Sequence, residues 1–135
     1  MNAGPSLTGI VVAGNRNGRA LGFPTANLDH SGSLPAGLSR GVYAVLIRVG
    51  EKWYKGMANI GTRPTFRLQE LTVEAHLFDF SGNLYGREIR IQFLEKIREE
   101  KKFSGIDELK TQLEKDRIKI LALFAGRGDP DPQAD

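Results

Sequence analysis

Apolar residues fall in two different rhythms along the chain. From Val42 to Val49, strict alternation puts Val42, Ala44 and Leu46 on one face and Tyr43, Val45, Ile47 and Val49 on the other, the period of a β-strand. Leu7 to Ala13, Lys52 to Ile60, Leu71 to Phe80 and Glu88 to Leu94 read the same way. Gly50-Glu51 leaves two residues between a pair of these runs, a hairpin spacing, and Ser81-Gly82-Asn83 marks a further turn. The rhythm then lengthens. Ile106, Leu109, Leu113, Ile120 and Phe124 recur at three, four or seven residues, which predicts one apolar stripe on an α-helix. Ser104 is the expected N-cap, Asp107 and Glu108 face the positive end of the helix dipole, and Gly126 suits the residue just past the end. Short strands followed by a single helix point to an antiparallel barrel or sandwich, with the helix packed against it or plugging it.

Composition narrows the class. At 135 residues the chain fits one domain, large enough to fold without a disulfide or metal. We expect residues 1–135 to form that domain, with an ordered core over about 6–125 and a flexible tail over 126–135, where Gly, Asp and Pro dominate. With no Cys, thiol catalysis, disulfide frameworks and thiolate zinc sites are excluded. Neither a signal peptide nor an apolar run of bilayer length is visible, so a soluble, cytoplasmic protein with no membrane partner is expected. A net charge of +3 against 16 acidic residues is too slight to indicate a nucleic-acid partner.

Candidate chemistry concentrates between Gly14 and Asn27. Gly14, Gly18 and Gly22 follow a strand at four-residue spacing, with Arg16 and Arg19 among them. Such a loop lets backbone N–H groups converge on a phosphate while the guanidinium groups supply opposing charge. It is neither a Walker loop nor a dinucleotide fingerprint, and Gly and Asn serve equally as turn residues. In Pro24-Thr25-Ala26-Asn27 a hydroxyl and a carboxamide point the same way if the piece is extended, hard oxygens that suit Mg²⁺; capping a turn is the plainer role. Glu74 shares a strand face with Thr72, His76, Phe78 and Phe80. A carboxylate there can act as a general base or simply meet solvent. His76 reads as a packing or surface residue, since no second His or Asp lies at metal-binding spacing. Asn59 to Phe66 closes a strand with a Gly/Pro turn, either a plain exit or a flap beside a ligand. The charge run Ile97 to Phe103 occupies the handover from last strand to helix.

In order along the chain, Gly18-Arg19-Ala20-Leu21-Gly22-Phe23-Pro24-Thr25-Ala26-Asn27-Leu28, Gly41-Val42-Tyr43-Ala44, Asn59 to Phe66, Val73-Glu74 with His76 to Phe80, Leu84-Tyr85-Gly86, and Arg98 with Glu100 and Lys102-Phe103 resemble riboflavin kinase, the flavokinase module of bacterial FAD synthetases. The match runs from about Gly9 to Phe124. The resemblance implies a mainly β fold: a six-stranded antiparallel, Greek-key-like barrel with a C-terminal α-helix. It implies ATP and riboflavin as small-molecule substrates, FMN and ADP as products, and Mg²⁺ or another divalent cation as cofactor. It assigns Glu74 as the base for the riboflavin 5′-hydroxyl and Thr25 and Asn27 to metal and phosphate. Gly14, Arg16, Gly18, Arg19 and Tyr85 would join Thr25 and Asn27 around the nucleotide, and Arg98, Glu100 and Phe103 would meet the flavin.

Two departures from the family pattern stand out. Ala13 replaces a polar or aromatic residue that many relatives carry before the loop glycine. Nothing in the sequence could house the N-terminal adenylyltransferase domain of the bacterial enzymes, so the chain is expected to be a stand-alone kinase or an excised half. A non-catalytic flavin- or nucleotide-binding barrel is the alternative, and an oligonucleotide-binding barrel ranks below both because cations are interleaved with acids from Arg98 to Lys119.

Overall fold

The computed structural model of the protein describes residues 4–12, 25–29, 35–64 and 69–127. Six strands, β1 (Ser6–Val12), β2 (Thr25–Asp29), β3 (Gly41–Val49), β4 (Lys52–Pro64), β5 (Gln69–Leu77) and β6 (Glu88–Arg98), precede one helix, α1 (Ile106–Arg127). All neighbouring strands are antiparallel, and they close into a barrel in the order β1-β2-β5-β4-β3-β6. β3, β4 and β5 form a meander, while β2 lies beside β5 rather than beside its successor. That is the Greek-key arrangement.

Alternation decides which side chains fill the barrel. Tyr43, Val45, Ile47 and Val49 of β3 point inward with Ala58, Ile60, Val73, Ala75, Leu77, Ile89, Ile91 and Phe93. In so narrow a barrel these side chains fill the interior, as expected where strand number is small. The polar members of the strands therefore face outward. Closure of the β3–β4 hairpin at Gly50-Glu51 follows the spacing, with Val49 opposite Lys52 and Gly50 at φ 63°, the left-handed value that a type II′ turn places first.

The other face of β3 meets the helix. Val42, Ala44, Leu46, Met57, Phe78 and Ile97 form a second cluster with Leu113, Ile120 and Phe124 of α1. Burying each of those three helix side chains contributes roughly 1.5–3 kcal/mol. So α1 packs on the outer wall and does not plug the barrel. An ion pair reinforces the seam: Arg98 Nη2 and Nε donate to Asp116 at 2.8 and 2.9 Å, and Gln112 Nε2 donates to the same carboxylate at 2.9 Å.

Element ends differ from the sequence reading. The Ser104 hydroxyl donates to Glu108 Oε2 at 2.7 Å, whereas the Gly105 carbonyl accepts the first helical bond, from Leu109 N–H at 3.2 Å. Gly105 is thus the cap, and Gly126 falls inside the last turn rather than beyond it. Residues 128–135 of the expected tail lie outside the described residues. Among the described residues, no helix is long and apolar enough to cross a membrane.

Candidate active site

β2 is only five residues long, with Ala26 and Leu28 buried in the core. Extension therefore turns Thr25 and Asn27 together onto the outer wall, as the Pro-Thr-Ala-Asn spacing predicts. Their partners come from β5, where Val73, Ala75 and Leu77 are buried inward and Glu74 and His76 face out. Register pairs Thr25 directly with His76 and Asn27 with Glu74. Directly opposed residues of an antiparallel pair have Cβ atoms roughly 4.5–5.5 Å apart on one face, so the four side chains form a compact square.

Polar contacts join the square. The Thr25 hydroxyl lies 3.2 Å from His76 Nδ1, and His76 Nε2 lies 3.1 Å from Glu74 Oε1. Unequal burial separates the two ends: the His76 side chain is 5% exposed and that of Glu74 30%. The carboxyl is thus anchored from beneath and reachable from outside. Such placement lets a carboxylate meet a substrate hydroxyl without swinging freely in solvent.

Both flanks extend the site. On one side, β1 ends at Val12, opposite Asn27 and so beside the square. Gly14, Arg16, Gly18 and Arg19 themselves lie outside the described residues. Tyr85, 65% exposed, sits in a turn held to β1 by Gly86 N–H on Val11 O at 2.8 Å and Val11 N–H on Arg87 O at 2.9 Å. That turn brings it to the Val12 end of β1. On the other side, Asn59 of β4 opposes Glu74, and its Oδ1 is buried with no hydrogen-bond partner. Two residues along β4, the Glu100 carboxylate lies over Gly61, occupying the space a Cβ would take.

Arg98 and Phe103 are close to each other but differently committed. Phe103 is half-buried, with Lys101 Nζ 5.7 Å and Arg98 Cζ 6.0 Å from its ring centre. Arg98 belongs to the same cross-strand row as Glu74, through Val42 and Asn59, but three strand spacings away, roughly 14 Å. Its guanidinium is engaged by Asp116. The structure therefore gathers Thr25, Asn27 and Glu74, sets Glu100 and Phe103 along the β4 and β6 flank, and ties Arg98 to the helix.

From sequence His76 reads only as a packing or surface residue, Asn59 only as the start of a turn-closing segment, and Asp116 carries no signal. Alternation did place His76 on the Glu74 face. Its link to Thr25, however, depends on a pairing between strands 51 residues apart, which no local pattern carries. Asp116 lies in a helix rich in charge and has no local mark.

A hydroxyl and a carboxamide are hard oxygen donors of the kind that suits Mg²⁺ when phosphate and water complete its shell. Among the described residues no three His, Cys, Asp or Glu side chains gather as a metal cage. The donors fit a cation delivered with its phosphates.

Comparison with known proteins gives a consistent result. The family model described as Flavokinase: Riboflavin kinase matches residues 2–124. A bifunctional riboflavin kinase/FMN adenylyltransferase of Bacillus subtilis is 43% identical over 124 residues, covering 88% of this chain and 38% of the relative. Among solved structures, a Streptococcus pneumoniae chain described as a macrolide-efflux protein is similar with TM-score 0.78 and 35% identity, over 87% of this chain and 38% of that one. Riboflavin kinase from Trypanosoma brucei gives TM-score 0.61 at 26% identity, over 89% of this chain and 79% of that one. The chain thus spans well under half the length of the bifunctional relative it matches.

Proposed function

The chain belongs to the riboflavin kinase family, and we propose that it moves the terminal phosphoryl group of ATP onto the 5′-hydroxyl of riboflavin, giving FMN and ADP. The observation that carries this reading is the pairing of Asn27 with Glu74 beside the Thr25–His76 pair. It sets the two hard oxygen ligands next to the one outward carboxylate that the family pattern marks as base.

A primary alcohol must lose its proton as it attacks phosphorus. In a loose phosphoryl-transfer transition state that proton leaves late, so a weak base held in place is sufficient. Glu74, anchored through His76 and open on its other side, accepts the 5′-hydroxyl proton. Thr25 and Asn27 would hold Mg²⁺, which when bound would neutralise and orient the triphosphate. Gly14, Arg16, Gly18 and Arg19 cover those phosphates, and Tyr85 borders the same nucleotide from the turn anchored on β1. The flavin lies along the β4 flank, against Glu100 and Phe103, while Arg98 braces that segment through Asp116.

Positioning and charge neutralisation supply most of the acceleration in such chemistry. Glu74→Gln should therefore retain ATP and riboflavin binding and lose turnover by about 100-fold or more, the scale of general-base contributions. Coupled detection of ADP and FMN, together with calorimetric binding of each substrate, checks this. Turnover at the wild-type rate would remove Glu74 from the role of base. A wild-type chain that binds riboflavin yet releases no ADP would make the barrel a binding module.

A further inference from the structure

We propose that His76 is a positioning residue which couples the nucleotide half of this site to its base half, by fixing Glu74 through Nε2–H and accepting a hydrogen bond from the Thr25 hydroxyl at Nδ1. This rests on the reading of Glu74 as base and Thr25 as cation ligand, and it adds a residue to which that reading gives no part.

His76 is 4% exposed and bridges two functional side chains, Thr25 at 3.2 Å and Glu74 at 3.1 Å. With one ring proton, one imidazole nitrogen donates and the other accepts. If Nε2 were the acceptor, its lone pair would face the Glu74 carboxylate oxygen across 3.1 Å, two acceptors without a proton between them. The carboxylate therefore selects the Nε2–H tautomer, in the way that an imidazole's orientation is commonly set by a carboxylate on its far nitrogen. Nδ1 is left as an acceptor. The Thr25 hydroxyl then donates to it, and this bond uses the hydroxyl's proton rather than its lone pairs. Those lone pairs are what a cation requires. One buried ring thus orients the base and presents the ligand oxygen.

Two near-isosteric substitutions separate the halves. In His76→Asn the carboxamide oxygen replaces the Nδ1 acceptor but nothing reaches Glu74. In His76→Gln the terminal NH₂ replaces the Nε2 donor, while the Nδ1 acceptor is lost. His76→Asn should lower kcat about tenfold or more with Mg·ATP binding held within about twofold, and His76→Gln should weaken Mg·ATP binding by about tenfold while sparing kcat, the range typical of residues that orient a ligand or base. Independently of activity, ¹⁵N NMR of the unliganded wild-type protein should show His76 protonated at Nε2 and bare at Nδ1, the resonance being assigned by its loss in His76→Asn. A proton on Nδ1 would overturn the proposal even if both variants failed to fold. So would folded variants, with circular dichroism and thermal midpoints matching the wild type, that leave kcat and Mg·ATP binding unchanged or alter both to the same extent in each variant. If Glu74→Gln is slow and the His76 variants are not, only the coupling fails. If Glu74→Gln is as fast as wild type, the underlying reading fails first.

Discussion

Single side chains here act through what lies directly opposite them. Thr25 stands across from His76, and Asn27 across from Glu74, so losing one member changes its partner's environment more than it changes the fold. Thr25→Ala should raise the KM for Mg·ATP and shift the Mg²⁺ dependence of the reaction to higher concentration, with the KM for riboflavin little altered. Steady-state kinetics across a metal titration measures this, and an unchanged metal dependence would take Thr25 out of the ligand set. Gly56 acts through backbone instead. It lies on β4, paired with Val45 and Leu77, and an added methyl would run into the His76 carbonyl and crowd Ile47. Because the obstacle is backbone, Gly56→Ala should destabilise the protein by about 1–3 kcal/mol, the usual cost of overpacking a tight site, as a lowered urea midpoint would show.

Among the elements, those whose role is written in a local rhythm are legible from sequence, and those defined by their neighbours are not. β3 reads correctly on both faces because its inner and outer sides are each apolar, one against the barrel and the other under α1. α1 reads from the spacing of Leu113, Ile120 and Phe124. β2 carries too short a pattern, Thr-Ala-Asn-Leu-Asp, and shows as a strand only once β1 and β5 lie on either side of it. β6 runs on to Arg98, past the point where charged residues mask the alternation, because β3 supplies its pairing to the end. The square of Thr25, Asn27, Glu74 and His76 was half legible in the same sense: each pair of same-face residues follows from alternation, their meeting from topology alone. Between elements, the Arg98–Asp116 pair should matter most, since the Asp116 side chain is 3% exposed. Asp116→Ala leaves the Arg98 guanidinium without its partner at the helix seam, and breaking a buried pair in this way costs about 3–5 kcal/mol. Chemical denaturation should report that loss. A stability unchanged from wild type would show that α1 is held by its apolar stripe alone.

Taken as a whole, the molecule has a barrel filled by its own apolar side chains and turns its polar strand residues to the outer wall, where β2 and β5 are not covered by the apolar seam under α1. The interior supplies rigidity, α1 shields β3 and its neighbours, and the remaining wall carries Thr25, Asn27 and Glu74. Because the lumen side chains and the wall side chains alternate on the same strands, a shift of register by one residue would exchange the two and abolish site and core together. On the proposed function, phosphoryl transfer belongs on this outer wall. A crystal structure with riboflavin and a non-hydrolysable Mg·ATP analogue tests it most directly. It should show the 5′-oxygen about 2.6–3.2 Å from a Glu74 carboxylate oxygen, the reach of a general base, with the γ-phosphate on the Thr25–Asn27 side. A riboflavin bound elsewhere, its 5′-oxygen out of reach of Glu74, would contradict the account.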